Sequence, residues 1–258
     1  MLAALLFAAI WESVAPGVGY AHIVSGTNDI HVARIDLTSD AIRVIATSQG
    51  DRDARVSDFA KKRNALIAIN GDYFDDATCP IGLAIGACGQ WVGTKDTARE
   101  GVVAVGDGRA RIDAQRVVMD PPEEWVAAAV SGWPLLVDGC TALTAKQLPG
   151  SDGFTRAPHS RTAAGLSGDG KTLYLVVADG RRQGVPGLTL EELATFMKAE
   201  LGVCSAINLD GGGSSAMWVC DRIVNKPSDG FERRVANHLA VVWREDAICG
   251  AVESRLHK

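Results

Sequence analysis

Short runs of Val, Ile, Leu and Ala, about four to eight residues long, recur along this chain between glycine and polar turn residues, which confines it to a strand-rich fold. Val18 to Val24, Ile30 to Leu37 and Ala41 to Thr47 read as an antiparallel meander. Ser57 is placed to cap a short helix through Asn64, and Ala65 to Ile69 then reads as a buried strand ending at Asn70-Gly71-Asp72. Further strands are expected at Val102 to Val105, Ala110 to Ile112 and Trp125 to Val130, with Gly150 to Ser160 as an exposed loop. Arg161 to Leu166 and Thr172 to Ala178 form a hairpin about Gly168-Asp169-Gly170, and its second strand runs into Asp179-Gly180-Arg181.

Thr189 opens the clearest helix. Its hydroxyl and the Glu192 carboxylate can cap each other's backbone amides, while Leu190, Leu193, Ala194, Met197 and Leu201 form one apolar stripe that Gly202 ends. Cys204 to Leu209, Ser214 to Val219 and Val235 to Trp243 read as strands, with a sharp turn from Asp210 to Gly213. The expected fold class is α+β, a mixed, largely antiparallel β-sheet core with a few packed helices. Residues 1–10 read as a signal-peptide remnant and residues 11–258 as a single domain.

A net charge of -5 without blocks of like charge lacks the basic footprint of a nucleic-acid binder, so no nucleic acid is expected as partner. The apolar run from Met1 to Ile10 is too short to cross a bilayer, so no stable membrane insertion is expected. Six cysteines without a CxxC pair suit disulfides better than zinc, which points to a secreted or periplasmic protein. Cys79 and Cys88 bracket a short loop, and Cys204 and Cys220 lie symmetrically about Gly212 as they would across a hairpin. Cys140 is then left for Cys249.

The most informative stretch is Asn208-Leu209-Asp210-Gly211-Gly212-Gly213-Ser214-Ser215. Three glycines between two apolar strands let a ligand approach the backbone and present amides to an anion, with Asp210 at the rim. There is no P-loop ending, no Gly-x-Ser-x-Gly elbow and no HExxH spacing. His22, His31, His159, His238 and His257 each read as packing or surface residues. No metal ligands are assigned and no cofactor is expected; exposed aspartates would suit a divalent cation such as calcium, but no calcium-loop spacing occurs. The remaining chemistry lies in strand-end carboxylates and arginines: Asp72, Asp179, Asp210, Asp229 and Glu232, with Arg161, Arg233 and Arg234. Such groups suit glycosyl transfer to water, where a cationic anomeric centre needs negative charge and the leaving oxygen needs stabilisation.

The chain resembles the phosphodiester glycosidase family. The resemblance is carried by Ile69 to Phe74, Ser131-Gly132, Ser160 to Gly165, Asp179-Gly180-Arg181, the Thr189 helix, Ala206 to Ser215 and Asn225 to Gly230. It implies hydrolysis of a sugar joined through its anomeric carbon to phosphate, with a phosphorylated glycan or sugar phosphodiester as substrate. Where a mammalian member carries glycine, this chain has Asp72, and that member lacks an equivalent of Glu232, which leaves Asp210 and Asp179 as the preferred carboxylates. Asp210 and Asp179 are expected to act at the anomeric carbon, and Arg161 with the amides of Gly211, Gly212 and Gly213 to hold the phosphate. Asn70, Asn208 and Ser214 are expected to bond the sugar or orient the carboxylates. Gly71, Ser131, Asp229 and Arg233 complete the expected substrate-binding set. Two other readings use the same cleft: a cell-envelope phosphoglycan-binding module without catalysis, and a phosphodiesterase attacking at phosphorus.

Overall fold

A computed structural model describes residues 9–95, 101–113 and 122–246. Three sheets are built from antiparallel pairs. The largest has eight strands in the order Glu12–Ala15, Val18–Ser25, Asn28–Asp36, Thr172–Ala178, Arg161–Ser167, Val203–Asn208, Leu135–Asp138 and Thr141–Ala142. A second, five-stranded sheet contains Ala128–Gly132 between Ile85–Gly86 and Gly101–Gly106. The third, also five-stranded, runs Arg222–Ile223, Met217–Val219, Ile67–Asn70, His238–Trp243 and Ile42–Ala46.

Successive residues of a strand point to opposite faces, and the central strands of the large sheet are apolar on both. Val32, Ala163, Val176 and Ala206 face the helix Leu190–Leu201. Their neighbours Ala33, Ala164, Leu175 and Ile207 face a core that also contains Ile67 and Leu239 from the third sheet and Val103 and Val130 from the second. The large sheet is thus a middle layer, with a helix on one face and two small sheets on the other. The helix forms as its sequence dictates: the Thr189 and Glu192 capping box is complete, Gly202 ends it in the left-handed region at φ 67°, and the expected apolar stripe is buried.

Several local expectations are corrected. The meander from residue 18 to 47 breaks after its second strand, because Ile42–Ala46 pairs with His238–Trp243 in another sheet. Ser57 does not cap the first helix, Val56–Lys62; its own amide instead donates to Glu232 Oε2 at 2.9 Å, so a carboxylate remote in sequence serves the helix terminus. The segment from Gly150 to Ser160 contains a helical turn, Asp152–Thr155. The triple glycine is not a hairpin: Val203–Asn208 belongs to the large sheet and Met217–Val219 to the third, so the chain crosses between layers at this point.

That crossing also overturns the cysteine pairing expected from a hairpin. Cys204 is bonded to Cys140, on neighbouring chain segments where the Cys140 amide donates to the Cys204 carbonyl at 2.8 Å. The Cys204 to Cys220 and Cys140 to Cys249 pairings therefore do not form. Cys79 and Cys220 are free and exposed while Cys88 is disulfide-bonded, so Cys79 and Cys88 are not partners either. Cys249 and residues 1–8 of the N-terminal apolar run lie outside the described residues.

Candidate active site

The strand Val203–Asn208 delivers Asp210 to the point where the chain leaves the large sheet, and the end of Ile67–Asn70 fixes it there. The Asp210 amide donates to the Gly71 carbonyl at 3.1 Å, and Asn70 Nδ2 donates to the Asp210 carbonyl at 2.7 Å. Asn70 Oδ1 accepts from Thr162 Oγ1 at 2.8 Å and from the Ala216 amide at 3.3 Å. This fully buried asparagine therefore ties three chain segments together and places the backbone of the acid.

Each of the three glycines has a steric reason. A Cβ on Gly211 would approach the Ser160 carbonyl to 2.9 Å. Gly212 adopts φ +60°, and a Cβ there would meet the Arg181 guanidinium at 2.8 to 3.2 Å. A Cβ on Gly213 would occupy the place of the Asp229 and Arg233 side chains, which form a 2.7 Å ion pair. The glycines therefore make room for arginines as much as for a ligand. Two of their amides are engaged, Gly212 donating to the Ser160 carbonyl at 2.8 Å and Gly211 to the Asp210 carboxylate. The Gly211 and Gly212 amides are thus taken up within the chain, while the guanidinium groups of Arg161, Arg181 and Arg233 line the cleft.

The resulting cleft, about 440 Å³, is lined by Asp210 and Gly211 to Gly213 together with Tyr73, Phe154, His159, Arg161, Arg181 and Arg233. A larger depression of about 610 Å³ around Trp11, Arg34 and Lys171 lies away from all of these groups. Three guanidinium groups against Asp210 and Asp229, the ion-pair partner of Arg233, leave the cleft with a small excess of positive charge in a protein of net charge -5, which suits an anionic ligand.

Asp210 is half-buried, and removal from water pushes its carboxyl up to about 6 despite hydrogen bonds from Ser214 and the Gly211 amide and the nearby Arg233 and Arg181. Arg233 Nη1 stands 3.5 Å from Ser214 Oγ, so the serine links this arginine to the acid. Arg161 shares the cleft with Asp210, but Nε donates to the Leu188 carbonyl at 2.9 Å and Nη2 to those of Phe154 and Ala157 at 2.6 and 3.1 Å. Burial lowers it to about 10, so it remains a cation at neutral pH.

The other carboxylate preferred from sequence is not brought to this cleft. Asp179 is buried and does not line it. Oδ1 accepts from Asn225 Nδ2 at 3.0 Å, Oδ2 accepts from Arg182 Nη2 at 2.6 Å, and the Lys226 amide reaches both oxygens. Ser131 is likewise internal, its amide donating to Asp72 Oδ1 at 2.7 Å and its hydroxyl to the Leu83 carbonyl at 2.8 Å. Asn208 Nδ2 donates to Tyr73 Oη at 2.5 Å and to the Trp133 carbonyl at 3.0 Å, which fixes a cleft tyrosine. Gly71 leaves space that the Asn237 side chain occupies. Arg234 pairs with Asp53 at 3.1 Å, and Glu232 serves the helix as described.

Sequence reasoning missed Arg181, His159, Tyr73 and Phe154 as lining residues. Arg181 follows Asp179-Gly180 in one of the blocks singled out above, yet its φ of 56°, uncommon for a non-glycine residue, is invisible in one dimension. Its Nε donates to His159 Nδ1 at 3.0 Å. His159 Nε2 donates in turn to the Gly153 carbonyl at 2.8 Å, which defines a neutral imidazole whose protonation burial disfavours.

Residues 63–242 match the sequence profile of a family described as phosphodiester glycosidase, a stretch that contains every cleft residue named above. The chain is 29% identical over 203 residues to the SPbeta prophage-derived uncharacterized protein YomE of Bacillus subtilis (strain 168), across 74% of this chain and 30% of that protein. It is 29% identical over 190 residues to N-acetylglucosamine-1-phosphodiester alpha-N-acetylglucosaminidase of Mus musculus, across 69% of this chain and 36% of that enzyme. It thus spans about a third of the length of these curated relatives. The fold is shared with the catalytic domain of the zebrafish N-acetylglucosamine-1-phosphodiester alpha-N-acetylglucosaminidase, auto-inhibited by its pro-peptide, with a TM-score of 0.68 at 22% identity over 91% of this chain and 86% of that one.

Proposed function

Because the chain belongs to the phosphodiester glycosidase family, we propose that it hydrolyses the glycosidic bond of a sugar-1-phosphodiester, of the GlcNAc-1-phosphodiester type, and releases free sugar. The observation that carries this reading is the placement of Asp210 in a cleft whose other charged walls are Arg161, Arg181 and Arg233. In the proposed reaction the Asp210 carboxylate takes a proton from water attacking the anomeric carbon. The bond from that carbon to the bridging oxygen breaks, and the electron pair leaves on a phosphomonoester. A phosphomonoester is a good leaving group, so charge stabilisation by the guanidinium groups contributes more than protonation of the bridging oxygen. Arg181 and Arg233 meet the phosphate, Arg161 adds its charge from the cleft wall, and Asp229 sets the position of Arg233. Asp179 supports the site through Asn225, which accepts from the Met217 amide at 2.8 Å and donates to the Ser215 carbonyl at 3.1 Å, and so acts as a positioning residue.

The described residues from 11 to 246 are read as one unit, since one apolar cluster takes residues from all three sheets. Among the described residues no helix is long and apolar enough to cross a membrane, and the disulfide supports a secreted or periplasmic location.

The test is incubation with a GlcNAc-1-phosphodiester in oxygen-18 water. Free sugar carrying the label at its anomeric oxygen is the expected product. Label in the phosphate would instead establish attack at phosphorus, and ligand retention without sugar release would establish a binding module.

A further inference from the structure

We propose that His22, Asp29 and His31 form a binding site for a first-row divalent transition-metal ion, best matched by Zn²⁺, outside the cleft and independent of the reaction proposed there. The hairpin of Val18–Ser25 and Asn28–Asp36 sets the geometry: His22 and His31 are directly opposed across the strand pair, and Asp29 is two residues before His31 and so on the same face. The two imidazoles lie parallel, 5° apart with centroids at 4.4 Å. His22 Nε2 and His31 Nε2 both approach Asp29 Oδ1, at 2.7 and 3.5 Å, and the three ligand atoms all lie within 4.8 Å of one another. Donors about 2.0 to 2.2 Å from a tetrahedral zinc ion are separated by about 3.3 Å, so small side-chain rotations complete the site.

Two features favour a metal here over a plain hydrogen-bond cluster. His31 Nδ1 meets Tyr20 Oη at 2.8 Å; with the proton on Nδ1 and donated to the phenol oxygen, Nε2 is the nitrogen left facing Asp29 and His22. The surrounding charge is also suitable. Arg182 lies 3.3 Å from Asp29 Oδ2, but it is paired with Asp179 at 2.6 Å, so two carboxylates outweigh one guanidinium. His22 is exposed, which leaves an entry path and a fourth position for water. Metal binding displaces the contact between His22 Nε2 and Asp29 and moves the His22 proton to Nδ1 or to solvent. All three residues precede the stretch that matches the family profile.

The experiment uses the untagged full chain after chelator stripping, titrated with Zn²⁺ against a chromophoric competitor and checked by thermal unfolding. One equivalent should bind and raise the thermal midpoint by a few degrees. His22→Ala, at an exposed position, and Asp29→Asn should each weaken that binding at least about tenfold and abolish the thermal shift, while far-UV dichroism stays that of the parent. Absence of binding up to about 100 µM free Zn²⁺ overturns the proposal, as does an affinity that neither substitution changes, which would direct the metal to the free thiols of Cys79 and Cys220. Equal affinity for Ca²⁺ would overturn the choice of metal class, because imidazole nitrogen is a poor ligand for that ion.

Discussion

Asp210→Asn should make the protein more stable and far less active. The carboxyl is held at about 6 in the folded state against 3.8 for an ordinary aspartate, a difference of about two pH units. At ~1.4 kcal/mol per unit this corresponds to ~3 kcal/mol, and partial exposure to solvent reduces it to ~1–2 kcal/mol. Between pH 3.8 and about 6 the folded chain binds more protons than the unfolded one at this position, so its contribution to stability falls as pH rises through that window and is lowest at neutral pH. An asparagine carries no charge to desolvate. Its oxygen retains the Gly211 amide, and the Ser214 hydroxyl can rotate to accept from the new NH₂ group. The expected gain at pH 7 is therefore ~1–2 kcal/mol, a rise of several degrees in thermal midpoint for a chain of this size, shrinking to about a third at pH 4.5 where most of the parent's Asp210 is already protonated. Urea unfolding of both proteins at the two pH values measures this directly. A variant no more stable than its parent at pH 7, or equally favoured at both pH values, would refute the claim that this carboxylate is held at a desolvation cost. Sugar release by the same variant should fall by at least ~100-fold.

The reaction proposed above uses the ionised form of Asp210, so kcat/KM should drop about tenfold per unit as pH falls below about 6, with a flat limb above it; a rate that rises on acidification would assign this group the opposite role. Arg181→Ala should leave the thermal midpoint nearly unchanged but lower kcat/KM by about 100-fold, whereas Arg161→Ala should cost ~2–3 kcal/mol of stability because one buried and two part-buried carbonyls lose their donor. Denaturation and turnover measured side by side separate the two arginines, and the reverse pattern would exchange their roles. Cys140→Ser opens a cross-link between residues 64 apart in sequence and should cost ~4 kcal/mol, read as a lowered urea midpoint relative to the parent.

Elements governed by neighbouring residues were legible in the chain itself. The capping box from Thr189 to Glu192 and the stripe from Leu190 to Leu201 define a helix through contacts within a few residues, as does the hairpin from Arg161 to Ala178 through its turn and alternation. The glycine triplet and Asp210 stood out for the same reason, since glycine's backbone freedom is a property of the residue. What tertiary structure alone decided was which strand ends meet. Asp179 and Asp210 both follow apolar strands, yet one is enclosed by Arg182, Asn225 and Lys226 while the other opens into a cleft. Cys204 found Cys140 because Val203–Asn208 pairs with Leu135–Asp138, and Glu232 found the Val56–Lys62 helix 175 residues away in sequence. Local propensity acts over a turn or a strand pair, whereas these choices were made by burying three sheets and a helix against one another, a packing problem whose solution is a property of the whole chain.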